Sequence, residues 1–361
     1  MKKGTKEKIK VEFIDVGQGD CIVLNWTKDE GSPGLGIVDC ANFDKSRLYF
    51  ENKAIKEIDF LVLSHPHSDH FYGMRRLLEF FKEQEIVVKE IWITFLFARA
   101  FLNGENGISQ KDFIKGAVKD VYLLDELCAL MAEIDRRHNA KESILKFAFE
   151  DKTISLNSEY QLKVLAPDIV ESTQSFIDFT FTPKTRKLKK TLKNDLTQNP
   201  DANLLSSCLL LLSKQGNVLL TSDLTSKEKK RIFEKHIVNL DDLQLMQVPH
   251  HGSLNGFCKT CLNQMPYKQD CIAVISVGSN NYGHPKDEVV KYYNLNFKNL
   301  HLTGDCIDSN KVENQFFNEE SSLAELVDCL DLNDIIGLES LETTYKGAKS
   351  FTISNGNCND G

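Results

Sequence analysis

Ser64-His65-Pro66-His67-Ser68-Asp69-His70 follows directly on the apolar run Ile58-Asp59-Phe60-Leu61-Val62-Leu63 and sets four metal-grade side chains within six positions. In an extended loop, residues two apart point the same way, so His65 and His67 can share one cation while Asp69 and His70 face a second. Imidazoles with carboxylates suit zinc, and also iron or manganese where the carboxylate share is high. Three of the nine histidines fall in this one loop, a concentration that a polar surface loop has no reason to carry. The run before it reads as a strand. Behind it, Phe71 to Glu83 carries apolar residues at helical spacing: Phe71, Met74, Leu77, Leu78, Phe80 and Phe81. The loop therefore lies at a strand end, and reads as the front half of a binuclear site.

Strands precede this loop and return after it. Val11 to Val16, the turn Gly17-Gln18-Gly19-Asp20 and Cys21 to Leu24 read as strand, reversal, strand, and Gly36 to Cys40 as a third strand carrying Asp39 near its end. A strand over Ile86 to Thr94 leads into a helical section of about 110–145, which is expected to cover the site from one side. Two short strands follow within 151–166. The second half restarts with strands over Leu204 to Leu212, Val218 to Thr221, Leu243 to Val248 and Ile272 to Val277, with a helix over Ser226 to Glu234 and a closing strand at Ser350 to Ile353. Two of these strands end in ligand-type residues. Thr221-Ser222-Asp223 delivers a carboxylate, able to bridge two cations ~3.5–4 Å apart. Val248-Pro249-His250-His251-Gly252-Ser253 delivers one or two imidazoles, and Gly252 lets backbone approach a bound phosphate beside Ser253.

Bulk properties narrow the classes. At 361 residues, 41% apolar and 27% charged, the chain is an ordinary globular protein, read as one domain over 1–361. Nothing approaches the ~20 apolar residues of a membrane span, and the charged start Met1-Lys2-Lys3 lacks a secretory signal's apolar stretch; the expected location is cytoplasmic, with no membrane partner. Ten cysteines scattered through the chain, several inside apolar strands (Cys21, Cys40, Cys208, Cys271), are expected as reduced, buried thiols. Cys258 and Cys261, with Cys271, form only a weak zinc-knuckle pattern. A net charge of −8 argues against broad clamping on a phosphate backbone. One basic run, Lys184 to Lys193, lies in a polar insertion of about 168–200, and 306–345 is an acidic segment that could meet a protein partner.

The chain resembles the metallo-β-lactamase fold, and within it the soluble hydrolase domain of ComEC-type competence proteins. The matching stretches are Phe13-Ile14-Asp15-Val16-Gly17-Gln18-Gly19-Asp20, Val38-Asp39, His65-Pro66-His67-Ser68-Asp69-His70, Thr221-Ser222-Asp223, His250-His251-Gly252-Ser253, and Ile275-Ser276-Val277-Gly278 leading to Tyr282-Gly283-His284-Pro285. They anchor most of residues 11–290 and keep the family order. The resemblance implies an αβ/βα sandwich of two mixed β-sheets flanked by helices, with two divalent metal ions at a shared edge activating a water. It makes His65 and His67 ligands of the first metal, Asp69 and His70 of the second, and Asp223 the bridge. His250, with His251 close behind, completes the second. Asp39 orients the metal loop, and Asp20 is structural in its turn. Two departures stand out. Where many members carry a histidine before the bridging strand, this chain has Asn203, a weak ligand or substrate contact, which leaves the first metal under-coordinated. His67 stands where ComEC-like domains often have aspartate, which favours zinc, with manganese as the other candidate. His284 is a phosphate contact, a proton donor or a capped turn.

The expected function is a metal-dependent hydrolase of phosphodiester bonds, a DNA nuclease above all, with nucleic acid or nucleotide as partner. Asp69 would share the attacking water's proton, and His284 or His251 would help the leaving alkoxide. The alternatives are a phosphodiesterase for cyclic nucleotides and a binding module without turnover.

Overall fold

The computed structural model describes residues 9–51, 53–94, 121–168, 202–214, 216–236, 240, 242–265, 268–280, 282–304, 348–354 and 357–360. The basic insertion beyond residue 168, the acidic segment of 306–345 and the start of the expected helical section lie outside them.

Strand β1 (Ile9–Ile14) pairs antiparallel with β2 (Ile22–Thr27), and β2 with β3 (Pro33–Val38). From there the pairing turns parallel through β4 (Glu57–Leu63), β5 (Val87–Ile93) and β6 (Ile144–Phe147). The second sheet repeats the plan. Antiparallel β7 (Thr153–Ser155), β8 (Gln161–Ala166), β9 (Cys208–Leu212) and β10 (Asn217–Leu220) give way to parallel β11 (Leu243–Gln247), β12 (Ile272–Ile275) and β13 (Asn299–Leu302). With β14 (Ala348–Ser354) beside β1 and β15 (Asn357–Asp360) beside β14, the sheets hold eight and seven strands among the described residues.

Alternation along the strands makes the layers. Phe60 and Val62 of β4, Leu209 and Leu211 of β9 and Val218 and Leu220 of β10 meet between the sheets. Their neighbours Leu61 and Leu63 point outward beneath α1 (Phe43–Phe50), α3 (Met74–Glu83) and α4 (Val121–Asn139), α2 being the single turn Ser68–Phe71 of the metal loop. Leu210 and Leu219 do the same beneath α5 (Ser226–His236), α6 (Lys259–Asn263) and α7 (Asp287–Asn296). Strands buried on both faces read as unbroken apolar runs, which is why Cys208-Leu209-Leu210-Leu211-Leu212 shows no polar face. Each such side chain taken from water contributes roughly 1.5–3 kcal/mol. One outer-layer group stands apart: Lys229 of α5 is fully buried, its Nζ donating to Tyr293 Oη at 3.3 Å. Burial pushes its ammonium down to about 7.

Several expectations change. Leu145 belongs to the edge strand β6, not to a helix, and α4 packs Leu127, Leu130, Met131 and Ile134 into the helix layer rather than over the site. Residues 202–205 form a short 3-10 turn ahead of β9. Cys258 and Cys261 are joined by a disulfide rather than held as thiols or a zinc knuckle: Cys258 caps α6, and the helical turn brings the two Cα atoms to 5.4 Å. Cys21, Cys40, Cys208 and Cys271 are buried and free. Among the described residues, no helix is long and apolar enough to cross a membrane.

Candidate metal centre

The parallel strands bring their carboxyl ends to one edge of the sandwich, and each delivers a polar group there. Asp39 follows β3, His65 follows β4, Asp223 follows β10, His250 and His251 follow β11, and Ser276 follows β12. The backbone at this edge is unusual. Of the seven non-glycine residues with left-handed φ among the described residues, Asp39, Ser222, His250 and His251 all lie here, a conformation that costs on the order of 1 kcal/mol or more each.

Asp223 is 1% exposed and its two oxygens face different groups. Oδ2 lies 3.6 Å from His65 Nε2, 4.0 Å from His67 Nδ1 and 3.4 Å from His250 Nε2. Oδ1 lies 3.3 Å from His70 Nε2 and 3.4 Å from His251 Nε2, and His251 Nε2 is in turn 3.3 Å from Asp69 Oδ2. Ligands on ~2.0 Å bonds around a tetrahedral ion stand about 3.3 Å apart, so both groups have the spacing of a cation's donor set. The orphaned atoms fit as well: His70 Nε2, His251 Nε2 and Asp223 Oδ1 are buried, converge, and have no hydrogen-bond partner, an arrangement that is costly unless a cation or proton fills it.

The consecutive histidines part company. His250 Nε2 faces Asp223 Oδ2, the oxygen turned to His65 and His67, while His251 Nε2 faces Oδ1 and Asp69 and groups with Asp69 and His70. The cause is local: φ of 52° and 51° turn the chain sharply enough that adjacent imidazoles diverge. His250 thereby turns its Nε2 to the Asp223 oxygen that His65 and His67 also face. Asn203 itself is buried in the 3-10 turn, which leads to Ser207; the Ser207 N–H donates to Ser64 O at 3.1 Å.

A surrounding layer fixes these side chains. Asp39 Oδ1 accepts from the Ser64 N–H at 2.8 Å, while its Oδ2 accepts from Ser64 Oγ at 2.6 Å and from His70 Nδ1 at 2.7 Å. His251 Nδ1 donates to Ser276 O at 2.6 Å. Both bonds leave Nε2 facing the centre. Gln247 is a brace that sequence reading missed, although a buried-strand glutamine three residues before two histidines is a signal. Its Oε1 accepts from the Thr221 and Ser222 N–H groups at 2.9 and 3.0 Å, and its Nε2 donates to Asp20 Oδ2 at 2.8 Å. Asp20 is thus tied to the second sheet, and its own N–H donates to Asp69 O at 2.9 Å. Gly19 lets that turn pass close to the loop: at φ +120°, a Cβ would stand 2.2 Å from Asp69 O.

Charge divides the two groups. Burial, with His70 nearby, pushes His65 down to about 3, so its imidazole is neutral. Burial lowers His250 too. For His70 and His251 burial opposes protonation, but Asp223 and the adjoining carboxylates override it: His70 is raised well above its ordinary value and His251 to about 10. Burial likewise opposes ionisation of Asp223 and Asp69, and the neighbouring histidines hold both below the carboxylate range. In the metal-free protein the imidazolium protons of His70 and His251 thus balance the two carboxylates, a balance that a cation would take over.

Gly252 and Ser253 are engaged by the protein itself. Gly252 packs against Pro285, where a Cβ would come within 2.6 Å, and buried Ser253 accepts from the Gly256 N–H at 3.3 Å. His284 is half-buried with its ring centroid 5.9 Å from that of His250. Burial and the neighbouring His250 and Lys286 hold it below its ordinary value. Beside the centre opens a cleft of about 460 Å³ lined by Gln18, Asp69, Tyr72, Ser279, Asn280 and Tyr282.

Residues 15–124 match the family profile described as the Metallo-beta-lactamase superfamily. No curated protein matches the chain in sequence. Among solved structures, the metallo-beta-lactamase fold protein YhfI from Bacillus subtilis is 12% identical, covering 81% of this chain and 96% of its own, at a TM-score of 0.40. Human tRNase Z, short form, is 11% identical over 81% of this chain and 91% of its own, at 0.35. Zn(2+)-bound PqqB from Methylobacterium extorquens is 10% identical over 62% and 58%, at 0.31. The profile match, together with two mixed sheets packed face to face between helix layers, shows that this chain has the metallo-β-lactamase fold.

Proposed function

We infer that the chain is a metal-dependent hydrolase of phosphodiester bonds that cuts nucleic acid, with DNA favoured by the resemblance of its motifs to ComEC-type domains. The observation that carries this reading is Asp223, one buried carboxylate turned between two donor groups of matching spacing. His65, His67 and His250 would hold one divalent cation and Asp69, His70 and His251 the other, and five imidazoles among these donors favour zinc, with manganese as the other candidate. Such a pair supplies Lewis acidity at a phosphoryl oxygen and a nucleophile at neutral pH.

The remaining roles belong to the chain. Asp69 is ionised and lines the cleft, so it is placed to accept a proton there. His251 cannot release one to a leaving group, because Nδ1–H is committed to Ser276 O and Nε2 is turned to the carboxylates. His284 is neutral and offers one N–H, which suits a hydrogen bond to a phosphate or leaving oxygen rather than a charged donor. Helix layers and the braces on Ser64 and Gln247 keep the groups oriented before substrate arrives, which is where such sites gain most.

Purified protein with zinc or manganese, tested on single-stranded DNA, duplex DNA, RNA and cyclic nucleotides beside Asp223→Ala, decides the matter. Strand cleavage abolished by the substitution is the expected result. Cleavage of cyclic nucleotides alone replaces the substrate class, and no turnover with both cations bound leaves a binding module.

A further inference from the structure

Beyond the catalytic groups, one aromatic side chain at the cleft has no structural task. Tyr282 is 69% exposed, yet its surroundings are rigid. Asn280 Nδ2 donates to Gly278 O at 2.9 Å and to His284 O at 2.7 Å, while its Oδ1 accepts from the Tyr282 and His284 N–H groups at 3.0 and 3.1 Å. This clamp fixes the loop from both sides. One face of the Tyr282 ring lies along His284, with centroids 6.2 Å apart and planes 15° from parallel. His284 in turn neighbours His250, so a ladder of rings runs outward from the metal centre and ends on an open aromatic face.

Two polar groups flank that face. Gln18 lines the same cleft, and neither its amide nitrogen nor its amide oxygen has a hydrogen-bond partner although both are buried. The Nζ of Lys286 comes within 3.2 Å of where a Cβ on Gly283 would stand. A flat hydrophobic face, an amide that both donates and accepts, and a cation next to a loop residue are the complement of a nucleotide: base, base edge and phosphate.

We propose that Tyr282 is a stacking platform for an unpaired nucleobase next to the scissile phosphodiester, with Gln18 at the base edge and Lys286 at the adjoining phosphate. This rests on the phosphodiesterase reading and adds its substrate class: single-stranded nucleic acid rather than duplex. In a duplex both faces of every base are covered by neighbours, so a protein ring gains a face only where a base is unstacked. Stacking tolerates any base, since each has a π-face, and the site is therefore expected to choose strandedness over sequence.

The test compares wild type, Tyr282→Ala and Tyr282→Phe on a labelled oligothymidylate and on an abasic strand of equal length, which keeps every phosphate and lacks the bases. Binding is read by fluorescence anisotropy with chelator present, so the strands stay whole, and cleavage is followed separately with zinc or manganese. The alanine variant is expected to bind oligothymidylate about 10- to 100-fold more weakly, the phenylalanine variant like wild type, and all three to bind the abasic strand alike. Unchanged affinity in Tyr282→Ala, an equal loss on the abasic strand, or no binding by wild type overturns the platform. If binding behaves as expected while no strand is cut, the platform stands and the hydrolase reading falls. If strands are cut at rates that Tyr282→Ala leaves untouched, the reverse holds.

Discussion

Replacing Asp39 by asparagine tests how the outer hydrogen bonds control the metal centre. Asparagine keeps an oxygen for the Ser64 N–H but puts an amide NH2 where Oδ2 meets His70 Nδ1 at 2.7 Å. The imidazole must then accept at Nδ1, so its proton moves to Nε2, the atom 3.3 Å from Asp223 Oδ1 that would ligate a cation. A buried hydrogen bond to a charged group is worth roughly 1.5–3 kcal/mol, which corresponds to about a 10- to 100-fold loss of metal affinity and agrees with other altered outer-shell partners. Competition titration with a zinc chelator dye should show one of two binding steps weakened by that factor, and the step that depends on His65, His67 and His250 largely kept. The metal-free variant should melt below wild type, because Asp39 is one of the carboxylates that hold the buried His70 imidazolium. Two unchanged binding steps, or selective loss of the His65 step, would refute the reasoning.

Two further substitutions probe the scaffold. Gln247→Leu strands the Thr221 and Ser222 N–H groups and the Asp20 carboxylate in the interior; at roughly 1–3 kcal/mol for each unsatisfied group, urea unfolding should show a loss of several kcal/mol together with reduced metal uptake. Lys229→Met should stabilise the protein in a pH-dependent manner. The folded-state value of about 7 lies below the ordinary 10.5, so the unfolded chain binds the extra proton between these values and wild-type stability rises with pH across that window. At 1.36 kcal/mol per unit, the advantage of the variant is at most about 5 kcal/mol below pH 7 and shrinks toward zero near pH 10.5, measured as the difference between paired denaturant titrations; a pH-independent difference contradicts it.

What could be read from the sequence depended on whether a feature is local. The loop at His65 was legible because a strand buried on both faces leads into it and the ligand spacing is its own signature. The sandwich followed from apolar runs such as those at β4 and β9. Helix α1 was missed because it is only eight residues long and Asp44, Lys45, Ser46 and Arg47 interrupt its apolar residues, and β6 was absorbed into a helix since its pattern is only four residues long. The split between His250 and His251 was beyond reach, for it depends on left-handed backbone that no side chain announces. Gln247 acts across three separate segments, and such a brace has no sequence spacing to read. The disulfide at Cys258 needed the helix turn that draws its partner close.

The left-handed pair His250-His251 also has a bearing on how the centre is held together. One peptide unit of about 3.8 Å joins the two histidines, and its left-handed torsions are what point their rings to different oxygens of Asp223. A backbone change that lets either torsion relax would swing both imidazoles away from Asp223 at once, so the two donor groups are joined through the main chain as well as through the shared carboxylate.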